Sequence, residues 1–183
     1  MVVLRCKVAL VGDATVGKSA YTQMVHSGGV HFPKNYMMTM GADICIKEIR
    51  LDQATTVELC LVDIGGQDFY KKAAEGYLDN VAAFIVMYDV AHKQTFEVVG
   101  RWVELVRQKN KQLPGFLVAN KMDLKDKAEV TETQAEILSR NQRLNFFQCS
   151  ALRGVGLMEP LEAIAQMFAG MYEDRARQCQ MLK

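Results

Sequence analysis

The chain alternates between short apolar stretches and segments with a helical period. Leu4 to Val11 reads as a strand, and Ala20 to His26 as a short helix stopped by Ser27-Gly28-Gly29, since glycine supports the left-handed turn at a helix end. His31 to Thr39 has no period and contains Pro33, so it is expected to be a loop. Asp43 to Leu51 and Thr56 to Val62 alternate as strands joined by the polar turn Asp52-Gln53-Ala54, and Asp63 is expected to end the second of them. Val81 to Tyr88 is an unbroken apolar run, as in a parallel strand covered on both faces. His92 to Asn110 carries Phe96, Val99, Val103 and Val106 at helical spacing, with Trp102 at the edge of the stripe as a packing residue. Phe116 to Ala119 is a short buried strand, Thr131 to Arg140 a helix opened by Thr131 with Gln134 three residues on, and Asn145 to Cys149 a last strand. The final helix is expected from about Gly156, with Pro160 tolerated in its first turn. Strand and helix alternate except at the hairpin of the second and third strands. The expected fold is therefore a three-layer α/β sheet, mostly parallel, six-stranded, with one antiparallel edge strand and helices on both faces.

Composition adds limits. With 183 residues, half of them apolar, one core and one domain over 1–183 suffice. A formal charge of +1, from 22 basic and 21 acidic residues, gives no field that would gather nucleic acid or anionic lipid. Five scattered cysteines without a C-x-x-C pair argue against a disulfide framework or a zinc site and for a reducing compartment such as cytosol. No apolar run approaches the roughly 18 residues of a membrane span.

Chemistry concentrates where strands are expected to end. Gly12-Asp13-Ala14-Thr15-Val16-Gly17-Lys18-Ser19 fits G-x-x-x-x-G-K-[ST] between a strand and a helix. The glycines allow the chain to curl around an anion, and successive backbone N–H groups can point at phosphate oxygens. Lys18 supplies a point charge, and Ser19 a hydroxyl for Mg²⁺ at a helix N-terminus that itself favours anions. In Asp63-Ile64-Gly65-Gly66-Gln67, Asp63 is expected to hold Mg²⁺ through water, the Gly66 amide to meet the γ-phosphate, and Gln67 to orient an attacking water. Thr39 is the candidate second hydroxyl on Mg²⁺, brought in when the γ-phosphate orders its loop.

The base is read at the other end. Asn120-Lys121-Met122-Asp123 follows the buried strand Phe116–Ala119. A buried carboxylate at Asp123 can accept from both the ring N–H and the exocyclic amine of guanine, a pattern adenine lacks. At about 1.5–3 kcal/mol per charged hydrogen bond, the pair discriminates by roughly a hundredfold or more. Lys121 is expected to lay its stem along the base and Asn120 to brace the loop. In Cys149-Ser150-Ala151, the Ala151 amide is expected to face the guanine oxygen.

Together GDATVGKS, YMMTMGAD, DIGGQ, NKMD and CSA resemble the Ras-superfamily small GTPases over nearly the whole chain, and Y-x-x-T-x-G-x-D is most similar to the Rab branch. The resemblance implies a small-GTPase fold and a Mg²⁺-dependent GTP/GDP switch with mobile loops near 30–41 and 64–79. Val62 stands where Rab proteins have Trp, Asp68-Phe69-Tyr70 replaces Glu-Arg-Phe, and Leu152 replaces Lys, so ordinary Rab partner surfaces do not carry over. Ala14 places a methyl beside the γ-phosphate where Ras has Gly, which crowds Gln67 or an activating arginine and leaves binding better supported than hydrolysis. LRCKVALVGDATVGKSA and HFPKNYMMTMGADICIK resemble more closely the Rab-like subunits of intraflagellar transport complex B. That resemblance implies a small β-sandwich partner, intraflagellar transport protein 25, other complex B subunits, and a place in a cilium or flagellum. The alternatives are a structural adaptor with permanent or dispensable nucleotide, and a conventional vesicle-trafficking Rab.

The carboxyl end, Gln178-Cys179-Gln180-Met181-Leu182-Lys183, does not match C-a-a-X, so no direct lipid anchor is expected. Leu157, Leu161, Ile164, Phe168, Met171 and Tyr172 form an apolar stripe that continues to Cys179 and Leu182. The distal helix is therefore expected to dock a protein.

Overall fold

The computed structural model describes residues 2–35, 37–66, 76–108 and 110–181. Among them lie strands β1 (Val2–Val11), β2 (Ala42–Arg50), β3 (Thr55–Ile64), β4 (Ala83–Asp89), β5 (Gly115–Asn120) and β6 (Leu144–Gln148). The helices are α1 (Lys18–His26), α2 (Lys93–Glu97), α3 (Val99–Arg107), α4 (Glu132–Gln142) and α5 (Glu159–Met181), with a 3-10 helix over Met122–Lys127. The strands form one sheet in the order β2-β3-β1-β4-β5-β6, parallel except for β2 against β3, as the sequence predicts.

Alternation along β1 explains the layers. Leu4, Cys6, Val8 and Leu10 pack with Tyr21 of α1 and Leu161 and Ile164 of α5. Ala9 and Val11 face the other way, into a core with Phe84, Val86, Trp102 and Val103. The strands β4 and β5 are buried at every position, which is why both read as unbroken apolar runs. The parallel strands all end on the same side, so Gly12, Asp63, Asp89, Asn120 and Cys149 gather along one rim, where open α/β sheets bind ligands.

Several boundaries differ from the sequence expectation. Asp63 does not end β3; it pairs with Leu10 and Asp43, and Ile64 follows it in the strand. The helix expected over His92–Asn110 is broken at Val98 (φ −91°, ψ −2°). Its first turn is tethered to the end of β4, because Thr95 Oγ1 donates to His92 O (2.7 Å) and accepts from the Asp89 N–H (3.0 Å). The second part instead points Val99, Trp102, Val103 and Val106 into the core. Trp102 is thus a core residue, 3% exposed, and not at the edge of the stripe. Thr131 and Gln134 form the reciprocal capping box at the start of α4.

The last helix begins at Glu159 and not near Gly156. Gly156 has φ +71°, and a Cβ there would lie 2.2 Å from the Gln148 carbonyl oxygen. Leu157 is a buried anchor ahead of the helix, and its carbonyl accepts from the Tyr21 hydroxyl at 2.7 Å. Burial along α5 ends at Ala169, while the helix continues exposed to Met181. Leu182 lies outside the described residues.

Gly156→Ala combines a left-handed backbone with a backbone clash, and is expected to cost about 2 kcal/mol or more of stability. Urea denaturation midpoints of the two proteins measure it.

Candidate nucleotide-binding site

The phosphate-loop segment leaves β1 at Val11 and curls back to the start of α1. Gly12 (φ +141°) passes against β4, where a Cβ would sit 2.3 Å from the Met87 oxygen. Gly17 (φ +98°) passes against Asn120, where a Cβ would meet Nδ2 at 2.4 Å. Thr15 also adopts the left-handed region (φ +62°), a conformation that costs a β-branched residue about 1–3 kcal/mol. Val16 is fully buried beneath the loop, and Ala14 donates its N–H to Asp13 Oδ1 at 2.8 Å. Lys18 is only 6% exposed, and its ammonium crosses the loop to donate to Gly12 O (2.9 Å) and Asp13 O (2.8 Å). Burial pulls its pKa down to about 8, against Asp63 and Asp13, which favour the charged form.

Beside the lysine, three oxygen-bearing side chains converge from three segments. Ser19 and Thr39 both donate to Asp63 Oδ2, Thr39 at 3.3 Å, and their hydroxyls lie 2.8 Å apart. Asp63 is 1% exposed, and its Oδ1 has no hydrogen-bond partner among the described residues. Burial raises its carboxyl above the ordinary value, against the opposing pull of Ser19, Lys18 and Thr39. An orphaned buried carboxylate oxygen beside two hydroxyls is a hard oxygen donor set, and it fits a divalent cation such as Mg²⁺. Gly66 lies against the loop so closely that a Cβ would fall 2.6 Å from Asp13 O and Ala14 N. The Gly65 N–H donates to Gly41 O at 2.9 Å, tying the end of β3 to the segment that carries Thr39. These parts border a cleft of about 340 Å³ that reaches from Lys18 and Ser19 to Pro33 and Met38. Gln67, the expected water-orienting residue, lies outside the described residues.

The base-side residues stand at the ends of β5 and β6. Asn120 is 1% exposed and joins three segments: Nδ2 donates to Val16 O (2.8 Å), while Oδ1 accepts from the Ala151 N–H (3.0 Å) and the Cys149 thiol (3.4 Å). The Ala151 amide, expected to face a guanine oxygen, is thus engaged by Asn120 here. Asp123 is half-buried and not buried, and its Oδ1 accepts from the Ser150 hydroxyl. Ser150 Oγ in turn accepts from the Arg153 N–H at 3.1 Å. Lys121 takes a left-handed conformation (φ +65°, ψ +37°), and its Nζ lies 2.7 Å from Asp89 Oδ2.

Asp89 is the residue that sequence reasoning missed. It closes the apolar run at the end of β4, 2% exposed, and its position as the first acidic residue after a buried strand was the available signal. Burial pushes its carboxyl up, but Lys121, the Ala91 N–H and His92 together hold it below the ordinary value.

Asn120→Ala leaves the Val16 carbonyl and the Ala151 amide without their partner in a buried setting. A loss of about 2–4 kcal/mol in folding stability is expected, with faster nucleotide release. Chemical denaturation and fluorescent-nucleotide dissociation measure the two effects.

Comparison with known proteins gives the lineage. A sequence model of the Ras family matches residues 7–169. The intraflagellar transport protein 27 homolog of Trypanosoma brucei brucei is 48% identical over 183 residues, all of both chains. That of Mus musculus is 34% identical over 178 residues, 96% of each chain. Ras-related protein Rab-13 of Rattus norvegicus is 27% identical over 161 residues, 87% of this chain and 78% of its own. With a family match across most of its length and full-length relatives of this similarity, the chain belongs to the Ras family of small GTPases, as a Rab-like member of the intraflagellar transport protein 27 group.

Proposed function

We propose that this chain is a Mg²⁺-dependent guanine-nucleotide switch, a single G domain over residues 1–183, that works within an intraflagellar transport complex of a cilium or flagellum. The observation that carries the reading is the meeting of Ser19, Thr39 and the orphaned Asp63 Oδ1 beside Lys18. Ser19, Thr39 and Asp63 would hold Mg²⁺, which when bound would neutralise phosphate charge. Lys18, released from the loop carbonyls, gives a second positive charge, and the loop N–H groups of residues 14–19 give directed donors. Thr39 belongs to the 30–41 segment, so its hydroxyl links that segment's position to the occupancy of the metal corner. Asp123 reads the guanine edge, the Ala151 N–H joins it by being shared between Asn120 Oδ1 and the guanine oxygen, and the Lys121 stem lies along the base. Gln67, which follows Gly65-Gly66 in the sequence, is assigned the role of orienting the attacking water.

Two further parts of the reading concern partners. No helix among the described residues is long and apolar enough to cross a membrane. The relatives that match over their full length carry intraflagellar transport in their names. Exposed Met171 and Tyr172 continue the α5 stripe past Ala169, where its core-facing role is complete. This distal segment is proposed to dock the small β-sandwich subunit, intraflagellar transport protein 25, so that recruitment proceeds by complex formation.

GTP and GDP are expected to displace mant-GDP at concentrations at least about a hundredfold lower than ATP or ADP, and Lys18→Ala to abolish high affinity. Equal displacement by GTP and ATP overturns the guanine assignment. Nucleotide that never exchanges marks the structural adaptor instead. Truncation after Tyr172 is expected to weaken co-elution with the β-sandwich subunit in size-exclusion chromatography while mant-GDP affinity stays intact. Full retention of the partner removes the distal helix from the interface.

A further inference from the structure

A buried carboxylate outside the recognised motifs stands behind the base-side loop. Asp89 is the last residue of β4 and pairs in parallel register with Asn120, the last residue of β5, so Lys121 is the first residue beyond that neighbouring strand. Its two oxygens have separate duties. Oδ1 accepts the Ala91 N–H at 2.9 Å and shapes the turn after β4. Oδ2 receives Lys121 Nζ at 2.7 Å and contacts His92 Nδ1 at 2.7 Å.

Lys121 needs such a partner. Its left-handed backbone (φ +65°) is one that a non-glycine residue holds only where its surroundings fix it. Its side chain, 31% exposed, would otherwise sample several rotamers in water. Asp89, 2% exposed, fixes the far end of that side chain at the end of β4, next to the strand that Lys121 follows. The backbone of the same loop is fixed independently, by Asn120 and by the Met122 N–H donating to Cys149 O at 3.1 Å.

We infer that Asp89 is a positioning residue for nucleotide retention: through Oδ2 it holds Lys121 in the extended form that lies against the base before the base arrives. This role rests on the guanine-nucleotide reading. Preorganising a long side chain removes the ordering cost from the binding step, so the effect falls mainly on dissociation.

Asp89→Asn separates this role from the turn-forming one. An amide whose oxygen replaces Oδ1 still accepts from Ala91, and its NH₂ at the Oδ2 position donates to His92 Nδ1 once the imidazole carries its proton on Nε2, but repels Lys121. Release of mant-GDP from the full chain in excess Mg²⁺ is expected to quicken about tenfold. Lys121→Met is expected to do the same. In the Lys121→Met background, Asp89→Asn is expected to add less than about twofold, because its target is gone. Asp89→Glu, which restores the charge, is expected to fall between wild type and Asp89→Asn. An unchanged release rate in Asp89→Asn, or multiplicative effects in the double variant, overturns the inference and leaves Asp89 as a turn residue. Failure of the wild-type chain to bind mant-GDP overturns the guanine reading itself, and this role with it.

Discussion

The buried side chain of Asn120 is the constraint on which the rest of the site depends. Its amide bridges the carbonyl of Val16, the amide of Ala151 and the thiol of Cys149, and so joins loops that are 104 and 31 residues away in sequence. Away from water, none of these groups has a solvent alternative, so losing the bridge costs more than an exposed hydrogen bond is worth. Gly17 is required at that point because the amide occupies the space of a Cβ. The phosphate end and the base end are thus one rigid unit, held from behind.

That unit sits on a sheet built to carry polar groups only at its rim. The strands β4 and β5 are buried throughout until Asp89 and Asn120, their last residues. Apolar packing on both faces stabilises the sheet and excludes water from the bases of these side chains. The same burial shifts Lys18 down and Asp63 up, each toward its neutral form. A cation beside Asp63 and an anion beside Lys18, as the proposed Mg²⁺ and phosphate would be, would favour both charged forms.

A different balance holds at the far corner. Asp89 is as inaccessible to solvent as Asp63 but lies less deeply in the protein, and its carboxyl is depressed because Lys121, a backbone N–H and His92 outweigh the smaller cost of burial. Of these two buried aspartates on one rim, one has an oxygen with no partner among the described residues and the other is fully engaged. The contrast separates a ligand-directed carboxylate from one directed at a neighbouring side chain.

The sequence by itself determined the sheet, its antiparallel edge and the chemical types at the rim. Unbroken apolar runs mark doubly covered strands, and the phosphate-loop spacing is local enough to be complete in eight residues. It could not place Val98 as a break, because the helical period continues through it and the tether that bends the chain is a contact of Thr95 with the end of β4. Nor could it start α5 at Glu159, since Gly156 takes a left-handed φ of +71° where the chain passes close to the end of β6, and that conformation does not continue a helix. For Asp89 the sequence offers only its place as an acidic residue closing an apolar run; its partner Lys121 belongs to the next strand's loop, and only the parallel register of β4 with β5 brings the two together. Periodicity and short motifs record what a residue does for its own segment. Which polar groups satisfy one another across segments is decided by tertiary packing, because it depends on distances that the linear spacing does not contain.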